Sequence, residues 1–301
     1  MSIADKIKKH GVKNSIIIAF KLAAEKIKNS YYRWLVRNAD AFINPTQDEL
    51  LQIESDLIKL NECVEDYTPD NNGFITFQSE QYFPTDYHRG VNGPVWHEKL
   101  LEHWIAAERL DLKNYKFDDI YLDIASGHSP WVKTLRERFQ IQAYAIDLGD
   151  ISSKYRDLPY YIQEDATATS FDGDSVSGAS LQCAFEMFSY DDDINLIREM
   201  SRVLKPGGKI IILPLYLHTH YCAYSSPDYY GKGYTNASAK EYVCYDWKGI
   251  PSARFYDAHF LKERILNTIN VLGMQYKILV LRNKNDFGSN IYCHFILEVT
   301  K

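Results

Sequence analysis

Several features that would assign this chain to a common class are missing from its sequence. Its 301 residues include five cysteines, an odd number without a Cys-x-x-Cys pair, which argues against a zinc site or a disulfide framework. The apolar run from Ser15 to Phe20 stops at Lys21, too short for a bilayer span or a signal-peptide core. The formal net charge of −6 gives no general attraction for nucleic acid. These absences predict a cytoplasmic protein that does not bind nucleic acid.

A turn that is poor in glycine is the most informative feature that is present. An apolar strand over 120–124 leads into a turn with one glycine, Gly127. A second strand, over 141–146, ends on Asp147, which is 24 residues after Asp123 and suits one βαβ unit with an acid that binds a ribose. Dinucleotide folds use G-x-G-x-x-G because the backbone must approach a pyrophosphate. The lone Gly127 therefore indicates a nucleoside site without a pyrophosphate.

Further strands and helices continue the alternation. Lys205-Pro206-Gly207-Gly208 stops an amphipathic helix and precedes a buried β-branched strand. In chain order we predict a third strand ending at 163–166, a fourth strand at 180–185, a helix at 194–204, a strand at 209–213, a helix at 257–272 and strands at 275–281 and 290–300.

Together, residues 117–216 resemble the class I S-adenosylmethionine-dependent methyltransferases, which implies S-adenosyl-L-methionine as the cofactor. Asp123 to Gly127 look like the motif that wraps the methionine part of the cofactor, and Asp147 looks like the ribose-binding acid. Asp165 with Ala166 matches the position beside the adenine. The cofactor-binding residues implied are Asp123, Ala125, Ser126, Gly127, Asp147, Asp165, Ala166 and Cys183. The implied fold is an α/β, Rossmann-like, seven-stranded and mostly parallel sheet with helices on both faces and a final antiparallel hairpin.

A finer resemblance lies in the segment from Cys183 to Phe188, which is similar to the branch that methylates small molecules and sugars for surface glycans. That branch commonly has Glu-His after its fourth strand, and here the second residue is Met187. The chain also departs from the family at Ala125, where the first motif usually has a glycine. No catalytic role carries over to Met187.

The chain divides into three predicted regions. Residues 1–43 form a basic amphipathic helical extension, 44–112 a helical cap, and 113–301 the methyltransferase domain with a substrate-loop insertion at 217–255. Within the cap, Thr46 and Glu49 predict a capping box, and Pro94 suits the first turn of a helix running to Leu110. The irregular stretch over 67–95 is either a lid over the cofactor or a surface loop.

Positive charge is concentrated at the N-terminus. Residues 1–37 carry nine basic and two acidic side chains, a net charge of +7 against −13 for the remainder. Apolar residues recur there at helical spacing: Ile16, Phe20, Ala23, Ala24 and Ile27. Two interpretations stay open, a solvated helix packed on the domain or an amphipathic helix resting on an anionic membrane.

The substrate and the catalytic base are predicted from two strand ends. Tyrosines crowd the insertion, and as a set they favour a sugar-like acceptor, although each could serve packing alone. His218 and His220 follow a strand's carboxyl end and are candidate general bases, with Glu186 after the fourth strand as the third candidate. Asp191 to Asp193 are interpreted as the acidic first turn of a helix, so we predict no metal site.

These observations favour O-methylation of a sugar or surface-glycan precursor. The alternatives are methylation of another small acceptor, such as an amine, a carboxylate or a lipid headgroup, and a catalytically silent fold that binds a nucleoside and serves as a membrane-tethered partner protein.

Overall fold

A computed structural model describes residues 3–149, 153–234, 236 and 238–301, with side chains of the first helix from residue 17 onward. The strands are β1 (Val64–Tyr67), β2 (Ile120–Ile124), β3 (Gln142–Asp147), β4 (Tyr161–Gln163), β5 (Val176–Gln182), β6 (Leu204–Leu213), β7 (Cys222–Ser225), β8 (Lys240–Val243), β9 (Ala253–Phe255), β10 (Gln275–Leu281) and β11 (Phe295–Thr300). The helices are α1 (Ile3–Leu35), α2 (Gln47–Lys59), α3 (Asn71–Ser79), α4 (Trp96–Arg109), α5 (Trp131–Phe139), α6 (Asp192–Val203), α7 (Ala258–Leu261) and α8 (Asn267–Val271). A π-helical segment, Lys262–Leu266, joins α7 to α8.

The main sheet confirms the predicted Rossmann-like α/β fold. Its order in the described residues is β1-β10-β11-β6-β5-β2-β3-β4, and only β11 runs antiparallel to its neighbours. The sheet has one strand more than predicted, because β1, from the segment predicted as a helical cap, pairs in parallel with β10. This strand covers the sheet edge that a final hairpin would leave open.

Several predicted boundaries were wrong for local reasons. The fourth strand ends at Gln182 because Cys183 has a φ of 47°, which leaves the extended region. The predicted turn at Lys205–Gly208 lies inside β6, since Gly207 and Gly208 exchange backbone hydrogen bonds with Lys301. The last strand begins at Phe295 instead of residue 290. The helix after Pro94 begins at Trp96, so this proline lies outside its first turn.

Two compact units make up the chain. The helix-insertion unit comprises Met1–Asn44 and Cys222–Ala253, and the sheet unit comprises Pro45–Tyr221 and Arg254–Lys301. In the first, β7 and β8 pair in parallel. In the second, the main sheet, α2 and α4 carry the core. The predicted boundaries at 43 and 112 stay predictions, and no helix among the described residues is long and apolar enough to cross a membrane.

The segment between α2 and α4 packs on the main sheet unit through aromatic rings. Phe83 stacks on Trp131 at the start of α5, with ring centroids 5.5 Å apart, and on Tyr87 at 4.9 Å. The predicted capping box is present, since Thr46 and Glu49 bond reciprocally at the start of α2. Because α5 begins directly after the turn containing Gly127, these aromatic contacts lie close to that turn along the chain; the lid itself stays a prediction.

Candidate functional site

The turn after β2 brings four predicted residues together. Ala125 and Gly127 both have left-handed backbones, with φ of 53° and 57°. The amide of Gly127 donates to Asp147 Oδ2 at 2.7 Å, and Asp147 Oδ1 accepts the amide of Gly149 at 2.7 Å. Ser126 donates its amide to the carbonyl of Ile146 at 3.2 Å. The end of β3 therefore holds the turn in place, and a Cβ built on Gly127 would meet nothing within 4 Å, so the space above the turn is open.

Asp123 is a buried acid in need of a partner. It is 1% exposed, and in the described part of the chain neither carboxylate oxygen has a hydrogen-bond partner. Burial raises the pKa of Asp123 to about 8, against the opposing effect of the nearby Ser129 hydroxyl, and the charge of Asp147 adds to the rise. A cationic or hydrogen-bond-donating ligand at this strand end would satisfy the carboxylate, which fits the ammonium and sulfonium groups of S-adenosylmethionine.

Asp165 and Ala166 follow the next strand of the sheet, β4. The amide of Glu164 donates to the carbonyl of Asp147, which ties this loop to the end of β3. Asp165 Oδ1 accepts the amide of Thr167 at 2.8 Å and its hydroxyl at 2.7 Å, while Ala166 is buried. The predicted adenine-side residues therefore lie at the strand end beside the predicted ribose acid.

Cys183 directly follows β5, which neighbours β2 on the side away from β3. Its thiol donates to Glu102 Oε1 at 3.1 Å and lies 3.3 Å from the hydroxyls of both Tyr216 and Tyr292. Burial and the charge of Glu102 raise the pKa of the thiol well above its ordinary value, so it stays protonated. Lys99 completes the group through its 3.0 Å ion pair with Glu102. We name these five residues the thiol cluster.

The helix α4 supplies two further buried polar side chains. Glu98 accepts the amides of Tyr292 and Cys293 at 3.0 and 3.1 Å, and burial together with Glu102 raises its pKa well above the ordinary value. His103 bonds the hydroxyl of Tyr87 at 3.1 Å, and burial lowers its pKa to about 3. His103 is therefore neutral at physiological pH and positions its neighbours without titrating.

Glu186 lies in the short 3₁₀ turn Phe185–Met187 after β5. Its Oε2 is buried and has no hydrogen-bond partner within the described residues. Burial raises its pKa to about 7, with Glu102 adding to the shift and Lys99 opposing it. A carboxyl with this pKa takes up and releases protons at neutral pH, which is the property of a general base.

The two predicted histidines form a pair of their own. Their rings lie 4.4 Å apart, and the hydroxyl of Thr219 lies 3.2 Å from His218 Nδ1 and 3.3 Å from His220 Nδ1. Both contribute to lowering the pKa of Glu49 at the start of α2, behind the dominant hydrogen bonds from Thr46. The charges that act on Glu186 are those of a different group of side chains, Lys99 and Glu102.

The acidic run at 191–193 opens α6 as predicted, but one of its members has an unexpected role. Asp193 is fully buried and pairs with Arg254, Arg264 and the hydroxyl of Tyr256. Burial alone would raise the pKa of Asp193, but the hydrogen bonds from Arg264 and the charge of Arg254 outweigh it and lower the pKa. This carboxylate is structural and ties α6 to the segment after the insertion.

Four members of the thiol cluster were not predicted from the sequence: Lys99, Glu102, Tyr216 and Tyr292. One signal was available on α4, where Glu98, Leu101, Glu102 and Ile105 share a helical face and are all buried. Two acids on an otherwise apolar face indicate a buried polar site. The tyrosines had no such signal, because the fold alone brings 216 and 292 together.

Comparisons with known proteins agree with this geometry. Residues 122–212, less than a third of the chain, match a family model described as a methyltransferase domain. This match covers the strands and turns that hold Asp123, Gly127 and Asp147, and the cofactor that a methyltransferase domain indicates is S-adenosylmethionine. No curated protein matches the sequence.

Solved structures share the fold at low identity. A 1,6-didemethyltoxoflavin-N1-methyltransferase from Burkholderia thailandensis is 11% identical over 79% of this chain and 92% of its own, with a TM-score of 0.43. A methyltransferase from Archaeoglobus fulgidus is 13% identical over 72% and 97%, with a TM-score of 0.42. A geranyl diphosphate C-methyltransferase from Streptomyces coelicolor is 12% identical over 70% and 84%, with a TM-score of 0.35. Likeness of this degree carries no argument about the acceptor.

Proposed function

We propose that this protein methylates an oxygen of a sugar or surface-glycan precursor in the cytoplasm, with Glu186 as the general base. The observation that carries the proposal is the raised pKa of Glu186, about 7, at the carboxyl end of β5. A hydroxyl acceptor must lose its proton as the methyl group arrives, and a carboxylate with a pKa near neutrality is suited to take it. The phenols of Tyr216 and Tyr292 nearby suit a hydroxylated acceptor.

The cofactor-binding residues have separate roles in this proposal. The cofactor supplies a methyl group that its sulfonium already activates. Asp123 would pair with the cationic end of the cofactor, Asp147 would accept from the ribose hydroxyls, and Asp165 would lie beside the adenine. Ala125 keeps the left-handed backbone that a glycine would provide there, which supports a working turn over the silent-fold alternative.

His218 and His220 have a weaker claim to be the base. The charges of Lys99 and Glu102, two members of the thiol cluster, act on Glu186, whereas the histidines pair with each other through Thr219. We propose that the histidine pair is dispensable for proton removal. The acceptor would be held in line with the methyl group largely by positioning, which by itself can contribute several kcal/mol.

The proposal is tested with purified protein, S-adenosylmethionine and a panel of acceptors: nucleotide sugars and hexoses against amines, carboxylates and lipid headgroups. We expect S-adenosylhomocysteine to form only with hydroxylated sugars. Glu186→Gln should lower kcat about 10²–10⁴-fold, whereas the double variant His218→Ala/His220→Ala should keep kcat close to wild type. Because the ionised form is the base, kcat should rise with pH through about 7, the pKa of Glu186.

Three results would contradict this assignment in different ways. If only an amine or only a carboxylate is methylated, the proposed sugar acceptor is wrong. Loss of activity in the double histidine variant, with full activity in Glu186→Gln, would move the base to the histidine pair. Binding of S-adenosylhomocysteine without turnover of any acceptor would favour the silent fold. Glu137→Gln, an exposed carboxylate on α5, serves as the matched control and should leave kcat unchanged.

A further inference from the structure

The helix α1 presents a continuous apolar stripe to solvent. Its members recur at alternating intervals of three and four residues: Ile17, Phe20, Ala24, Ile27, Tyr31 and Trp34. At 100° per residue they occupy about 100° of the helix circumference. All are exposed, with Phe20 at 74%, Ile27 at 71% and Trp34 at 57%. We call this set the outer stripe.

The opposite face of α1 already has a partner inside the helix-insertion unit. Val36, just beyond the helix, is buried, and its carbonyl accepts the hydroxyl of Tyr245 at 3.0 Å. Arg33 donates to the carbonyl of Tyr245 at 2.7 Å, and its guanidinium lies 5.6 Å from that ring. The C-terminal end of α1 is therefore held through its inner face, and the outer stripe takes no part in these contacts.

Basic side chains border the outer stripe. Lys21 and Lys28 lie within about 40° of one edge, and Lys26 lies about 80° beyond the other, at 100° per residue. Glu25 is the one acid from Ile17 to Arg37 and lies about 80° beyond the edge that Lys21 and Lys28 border, farther from the stripe than either lysine. Tyr31 and Trp34 end the stripe with amphipathic rings that suit a boundary between water and apolar medium.

The charges beside the outer stripe indicate which of two partners would cover it, a second copy of α1 or a membrane surface. A second copy of α1 would bring Lys21 and Lys28 against the same lysines or against uncharged residues, because no acid lies as close to the stripe as these two cations. Anionic lipid would pair with every one of these cations while its acyl region takes up the apolar residues. We propose that α1 lies flat on an anionic membrane surface through the outer stripe. The stripe would then hold the enzyme peripherally at the bilayer.

Sedimentation of the full chain with vesicles tests the proposal. We expect it to sediment with vesicles of phosphatidylcholine and phosphatidylglycerol at low salt, to remain in solution with pure phosphatidylcholine, and to be released by added salt. Phe20→Asp/Ile27→Asp should abolish sedimentation. Lys21→Gln/Lys28→Gln should weaken it about 25-fold, since each cation near an anionic surface strengthens binding about fivefold.

Matched substitutions separate the stripe from general surface effects. Phe117 and Val271, exposed at 83% and 87% in the sheet unit, provide the control Phe117→Asp/Val271→Asp, which should bind vesicles as the unchanged protein does. Equal binding to neutral vesicles, or none to anionic ones at low salt, would overturn the proposal. A doubled mass in solution that Phe20→Asp/Ile27→Asp abolishes would overturn it in favour of a second copy.

Discussion

Glu186 and Asp193 lie seven residues apart after the same strand, yet their surroundings move their pKa values in opposite directions. Around Asp193, two arginines and a tyrosine hydroxyl satisfy the carboxylate and favour its ionised form. Around Glu186, a buried oxygen has no partner within the described residues, and the pKa rises to about 7. Burial acts on both acids in the same direction, so the partners alone make the difference.

The comparison distinguishes buried acids that stabilise the fold from buried acids that are suited to catalysis. A buried charge whose partners are complete stabilises its own site and has little capacity to exchange protons. A buried acid without partners costs stability when ionised, and such residues gather at functional sites. Asp123 belongs with Glu186 in this respect, since it is buried, unpaired in the described structure and has a pKa of about 8. Asp123 and Glu186 therefore indicate the functional site, whereas Asp193 has a structural role.

The largest effect on the free energy of unfolding should come from replacing Asp193. Asp193→Asn would leave the buried guanidinium of Arg254 without its countercharge, at a cost of about 3–5 kcal/mol in the free energy of unfolding. Because the folded pKa of Asp193 is lowered, its stabilisation is present above the unfolded pKa and is lost as pH falls through the folded value. Urea unfolding at neutral and acidic pH should show the variant's deficit shrinking in acid.

A neighbouring residue provides the control for this experiment. Asp191 also bonds Arg264, at 2.9 Å, but its side chain is 71% exposed. Asp191→Asn should therefore cost no more than about 1 kcal/mol. Equal losses in the two variants would contradict the view that burial and complete pairing make Asp193 the structural acid.

Replacing Asp123 should have a smaller effect on stability, and in the opposite direction. Its folded pKa lies above the unfolded value, so the folded protein loses stability as pH rises from the unfolded pKa through about 8. Asp123→Asn removes the ionised form and should raise stability by about 1–2 kcal/mol at pH 9, with no gain at pH 3. The same variant should bind S-adenosylhomocysteine more weakly in calorimetry, because the cofactor's ammonium loses its partner. Tighter binding together with higher stability would remove Asp123 from the cofactor site.

The sequence predicted the parts of this site that depend on local order along the chain. Asp123, Gly127 and Asp147 were predictable because a βαβ unit fixes their spacing, and parallel strands place their carboxyl ends on one edge. The capping box of α2 was predictable because all its partners lie within four residues. The helix before β6 and the breakers after it were found in the same way, although the breakers proved to lie inside the strand.

Features that depend on long-range packing could not be predicted. Tyr216 and Tyr292 meet Cys183 only because β5, β6 and β11 are neighbours in the sheet. The role of Asp193 depends on Arg254 and Arg264, more than sixty residues away. An acid at the start of a helix is a common local pattern, so nothing near Asp193 indicated a distant arginine.

The smallest effect on stability should come from replacing Glu186. This change tests the contrast between Glu186 and Asp193 most directly. Although its Oε2 is buried, Glu186 as a whole residue is half-buried, so water reduces the cost of ionising it, and we expect Glu186→Gln to stabilise the protein by about 1 kcal/mol or less. The folded pKa is raised, so the gain should be absent below the unfolded pKa and should develop as pH rises through about 7. Thermal unfolding across that range, beside the matched change Glu137→Gln, would measure it. A variant that loses both activity and stability would show that Glu186 has a partner in the folded protein, and the contrast with Asp193 would then disappear.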